Sequence, residues 1–113
     1  MDRSAKLALY QDLVAEFEDF AIKGKASAYT SLNGNMFSFL SPDGVWAFRL
    51  SEEDRAEYES TYGPSEVIQY NSVMRGYVEI RDELAKDPEP LGMWFARCAA
   101  NAHTLKPKPT KKR

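Results

Sequence analysis

The sequence predicts an α+β fold, a two-layer sandwich in which a mostly antiparallel sheet of about five strands carries helices on one face, in the order α-β-β-β-α-β-β-α. Three observations point to it. Apolar residues recur at spacings of three and four near both ends of the chain. Two turn signals, Asn33-Gly34 and Pro42-Asp43-Gly44, separate runs of strand-forming residues. A helix-start pattern, Ser51-Glu52-Glu53-Asp54, interrupts the strands before two further strand-like runs.

The first helix is read from Tyr10, Leu13, Val14, Phe17, Phe20 and Ala21, with Gln11, Asp12, Glu16, Glu18 and Asp19 on the other side. Gly24 is expected to stop it, because glycine accepts the left-handed conformation of a helix cap. Three strands follow, roughly over 26–32, 35–40 and 45–50. Asn33-Gly34 supplies the two positive φ angles of a type I′ hairpin, and Gly44 closes a turn begun at Pro42. Strict alternation places Trp46, Phe48 and Leu50 on the core face of the third strand and Arg49 on the other. The same rule puts Phe37 and Phe39 on one side of the second strand and Met36 and Leu40 on the other, so that strand wants cover on both faces and is expected to be central.

Ser51 caps a helix expected to run to about Tyr62, where Gly63-Pro64 ends it. Residues 66–70 and 73–80 read as two more strands of the same sheet, the second with Met74, Val78 and Ile80 on one face and Arg75, Tyr77 and Glu79 on the other. Asp87-Pro88 opens the last helix, whose apolar stripe is Leu91, Trp94, Phe95, Cys98, Ala102 and Leu105. Residues 1–105 are read as one domain and 106–113 as a flexible basic tail, since Pro107, Pro109 and the lysines have nothing to bury.

At 113 residues, 43% hydrophobic and 28% charged, the chain has the composition of an ordinary globular protein. No apolar run approaches the roughly 20 residues that span a bilayer, and no secretory signal is evident, so a cytoplasmic protein is expected. One cysteine allows no internal disulfide. The net charge of −2 hides an asymmetry, because the tail's +5 leaves −7 on the rest. An acidic body lacks the broad positive face that duplex DNA requires, so nucleic acid is an unlikely partner and could be contacted only through the tail.

The stretches Asn-Gly-Asn-Met-Phe-Ser-Phe-Leu, Ala-Phe-Arg-Leu-Ser-Glu-Glu-Asp-Arg, Val-Met-Arg-Gly-Tyr-Val-Glu-Ile and Leu-Lys-Pro-Lys-Pro-Thr-Lys-Lys, in this order of elements, resemble the N-terminal domain of the TfoX/Sxy family. The resemblance spans most of the chain. It implies an α+β domain that often self-associates, in a family whose named members regulate genes of natural competence, and it implies no enzyme activity. Met74, Gly76, Tyr77 and Val78 carry over as a strand signature and not as a binding site.

Candidate chemistry is sparse. His103, the only histidine, falls on the last helical turn, where a cation suits the helix dipole, and no carboxylate stands at helical spacing from it. Cys98 sits within an apolar stripe and reads as a small hydrophobe. Glu52, Glu53, Asp54, Glu57 and Glu59 complement a helix start and lack the alternating oxygen ligands of a calcium loop. No catalytic residue, metal ligand or cofactor is therefore expected.

Two candidate sites remain. Tyr29, Phe37, Phe39 and Tyr77 would share the sheet face opposite Trp46 and Phe48, a candidate interface with a protein partner or a second copy of the chain. Alternatively, Trp46, Arg49 and Trp94, with Tyr77, would line a pocket between sheet and helices that binds a small molecule or hosts a minor enzyme. The first reading is favoured: a non-enzymatic regulatory or interaction domain that presents a sheet face or a strand edge, in a homodimer or to another protein.

Overall fold

A computed structural model describes residues 1–24, 26–69 and 71–107. The chain is mixed α+β, with four helices, an antiparallel four-stranded sheet and a separate two-stranded hairpin. The expected single sheet of five strands is thus divided. Among the described residues no helix is long and apolar enough to cross a membrane.

Helix α1 (Arg3–Ala15) starts where the Asp2 carboxylate accepts the Ala5 N–H at 2.9 Å. It stops well before Gly24: Glu16 and Phe17 donate to carbonyls three residues back, the tightening that ends a helix. Phe17 and Phe20 still reach the core from the turns that follow, 4.9 Å from Phe95 and 5.0 Å from Phe37 between ring centroids. The helical spacing of these rings was real, but irregular backbone carries the last of them.

Strands β1 (Ala28–Leu32), β2 (Asn35–Leu40) and β3 (Trp46–Arg49) form the expected meander. Asn33 and Gly34 have φ of 54° and 82°, as a type I′ turn requires. The Gly44 N–H closes the next turn onto the Ser41 carbonyl at 3.0 Å.

Strand β2 departs from strict alternation. Thr30 pairs with Ser38 and Ser31 with Met36, leaving Phe37 as the extra residue of a β-bulge. Phe37 and Ser38 consequently both serve the helix side, Phe37 within the aromatic core and Ser38 bonded to the hydroxyls of Tyr10 and Thr30. Leu40 lies on that side too, while Met36 and Phe39 face the other. The expected pairing of Phe37 with Phe39 and of Met36 with Leu40 is corrected accordingly.

Helix α2 (Glu52–Tyr62) runs as expected, from the Ser51 hydroxyl accepting the Asp54 N–H at 3.1 Å to Gly63 at φ 98°. The next segment forms a hairpin of two short strands, β4 (Ile68–Gln69) and β5 (Ser72–Val73). A turn closed by Tyr77 N–H donating to the Met74 carbonyl then re-aims the chain, with Gly76 at φ 85° in its third position. Only β6 (Tyr77–Glu79) joins the large sheet, antiparallel to β3, giving the order β1-β2-β3-β6. This turn breaks the expected strand over 73–80, so Met74 packs beside Tyr77 and not beside Val78.

A short helix α3 (Asp82–Ala85), not anticipated, precedes α4 (Pro88–Thr104). The four helices contribute their buried residues to one cluster with Trp46, Phe48, Leu50, Val78 and Ile80, which places them all on one face of the sheet. Phe95 of α4 is its hub, with centroids 5.9 Å from Phe37 and 5.4 Å from Phe48. Full burial of each such ring contributes roughly 1.5–3 kcal/mol.

Candidate functional site

On the opposite sheet face a second, smaller cluster gathers Phe39, Ala47, Val67 and Tyr77, with Tyr29, Met36, Val45 and Met74 packed at its margin. The chain covers this face itself. Val67 and Met74, joined by a 2.8 Å backbone bond at the base of the hairpin, point inward, and Ile68 and Val73, their neighbours, point outward. Tyr77 is tied down from beneath, its hydroxyl donating to the Met36 carbonyl at 2.7 Å. Burial pushes the Tyr77 phenol up, an effect that neighbouring Arg49 opposes.

Of the candidate interface, Tyr29, Phe39 and Tyr77 therefore do lie opposite Trp46 and Phe48, whereas Phe37 does not, because of the bulge. Phe39 and Tyr77 are 4% and 5% exposed, so they are core beneath the hairpin and offer no open aromatic face. The strand edges are occupied as well. Lys23 and Tyr29 exchange backbone bonds of 2.8 and 3.0 Å on the outer side of β1. On the outer side of β6, the Glu79 N–H donates to the Ser65 hydroxyl and its carbonyl accepts from Tyr58, both at 2.8 Å.

The candidate pocket is not assembled either. Trp46 and Trp94 are 0% and 3% exposed within the main core, whereas alternation along β3 puts Arg49 on the other sheet face, across from Tyr77. Arg49 instead borders a surface groove of about 740 Å³ with Ser51, Glu52, Arg55, Arg75 and Asn101. Its stem lies over Gly76, where an added Cβ would sit 3.6 Å from Arg49 Cγ. Sequence reasoning singled out Arg49 but missed Arg75 and Arg55 as its neighbours. The available signal was Arg75-Gly76 as the centre of a turn, which swings the arginine back toward β3.

Several of the other titratable groups have structural partners. Asp54 and Glu57 hold Arg97 at 3.3 and 2.8 Å, and that guanidinium lies 4.8 Å above the Trp94 ring, clasping α2 to α4. The Glu59 carboxylate accepts from Arg55 and from the Ser65 N–H. Cys98 is fully buried, which pushes its thiol well up and away from thiolate chemistry. His103 is exposed at the end of α4, 6.3 Å from the Phe20 ring. Among the described residues no group of three or more His, Cys, Asp or Glu could hold a metal ion. Lys106 and Pro107 are described and exposed, and the rest of the basic tail, 108–113, lies outside the described residues. No family model matches the chain, and no curated protein or solved structure is significantly similar to it.

Proposed function

We propose that this chain is a non-enzymatic, cytoplasmic interaction or regulatory domain, similar to the TfoX/Sxy N-terminal domain, that contacts a protein partner or a second copy of itself through the outer face of the β4–β5 hairpin. The observation that carries this reading is the cross-strand pair Ile68 and Val73, exposed at 54% and 52% on a layer that already covers the sheet. A short hairpin gains little stability from two apolar side chains held in water, so they are better accounted for by a contact.

Sedimentation velocity across a concentration series, with pull-down from the native cell, tests the reading on the wild type and on Ile68→Lys/Val73→Lys. Association of the wild type, lost in a double variant that still folds, is expected. A wild type that stays monomeric and retains nothing the double variant does not would refute it.

A further inference from the structure

We propose that the groove beside Gly76 binds a small acid, a single carboxylate or phosphate group being held by the guanidinium groups of Arg49 and Arg75. This site adjoins the hairpin, since Val73 also borders the groove, but it does not rest on the hairpin contact. Three arginines border one concavity in a chain whose net charge is −2. Arg55 is already engaged, donating to Glu59 at 3.3 Å and to the Ser65 carbonyl at 3.1 Å. The side chains of Arg49 and Arg75 make no hydrogen bond or ion pair with the described residues, although Glu52 and Glu66 border the same groove.

Arg49 is half-buried, and its stem lies against Gly76. A guanidinium so placed has lost part of its hydration and rotamer freedom before any ligand arrives, which lowers the cost of binding an oxyanion. Planar guanidinium forks match carboxylate and phosphate oxygens in bidentate geometry. The two glutamates set the rest of the specificity. They repel a second negative charge and accept from hydroxyl or amine donors, so a small hydroxylated or zwitterionic acid fits where a polyanion such as a nucleic-acid backbone does not. The volume, about 740 Å³, suits a metabolite-sized ligand.

The test is titration of the full chain with inorganic phosphate and, separately, with lactate, at constant ionic strength against chloride, followed by two-dimensional amide and arginine-side-chain NMR. Saturable shifts at Gly76 and the Arg49 Nε–H are expected with at least one anion, and the stronger arm identifies the head group. Arg49→Gln should weaken that binding about tenfold or more while leaving the amide spectrum of the core in place. Arg75→Gln provides a second variant, at an exposed turn position. Shifts no larger than chloride produces, or binding undiminished in both variants, would overturn the proposal.

Discussion

The two faces of the sheet are built to different depths. On the helix side, four helices bury Trp46, Phe48, Phe37 and Phe95 in a continuous aromatic network, with a buried hydroxyl cluster of Tyr10, Ser38 and Thr30 at its centre. On the other side, a hairpin of two-residue strands and one turn shields Phe39, Ala47, Val67 and Tyr77. Four helices stand between the sheet and water on one face, and a two-strand hairpin and a turn on the other. Stability should therefore reside mainly with the helices, leaving the thin layer free to carry exposed apolar and cationic groups that a fully optimised surface would avoid. The Ile68–Val73 pair belongs to that thin layer, and the arginine groove lies where its edge meets α2 and the end of α4.

The sharpest way to break this contrast is to remove one ring from each face. Phe48→Ala, in the dense core, should cost about 3–5 kcal/mol in urea unfolding. Phe39→Ala should cost less, about 2–3 kcal/mol, because a thin cover can settle into the space. Equal losses would mean that the hairpin side is as rigid as the helix side.

A next-largest effect is expected from Ser38→Ala, which strands the Tyr10 and Thr30 hydroxyls in the core and should cost about 1–3 kcal/mol. Tyr77→Phe, which removes one 2.7 Å bond on the thin face, should cost about 1 kcal/mol. Both are read from denaturation midpoints at unchanged m-value.

High pH offers a comparison without mutation. Burial pushes Tyr58 up to about 12 and raises Tyr10 and Tyr77 further. The folded chain therefore holds protons that the unfolded chain releases near the ordinary tyrosine value of about 10, and stability must fall as pH rises beyond it. Tyr58→Phe should remove the part of that decline lying between pH 10 and about 12, visible in stability measured point by point against pH. An unchanged slope would show that Tyr58 ionises in place. The smallest effect should come from Arg97→Ala: its clasp on Asp54 and Glu57 lies at the surface, and only a slight fall in melting temperature, shrinking further in salt, is expected.

Much of the architecture was legible in the order of residues. The caps at Ser51 and Gly63, the Asn33-Gly34 turn, the alternation of Trp46, Phe48 and Leu50, and the stripe of the last helix from Leu91 to Ala102 are set by near neighbours and stand where the sequence placed them. Leu105, expected to continue the stripe, lies just past the end of the helix. The readings that failed concern segments whose local pattern is compatible with two geometries. Alternation in β2 cannot announce a bulge, since the extra residue is accommodated by pairing with β1. Residues 66–80 carry enough β-branched and aromatic side chains for two full strands, yet the turn at Arg75-Gly76 divides them. The candidate pocket residues stay apart for a different reason, one already legible in the sequence: Trp46 and Arg49 are three apart on a strand, and period two sends them to opposite faces.

By itself, the sequence determined where the long helices begin, where the meander turns and which residues of β3 face the core, because capping, turn chemistry and side-chain period act within a few residues. Only the tertiary structure decided that Phe37 turns to the helices, that a hairpin seals the second face, and that Arg49 and Arg75 meet at one groove. These outcomes depend on pairing between distant segments, whose free energy is settled by how the whole sheet packs and not by any local run of residues.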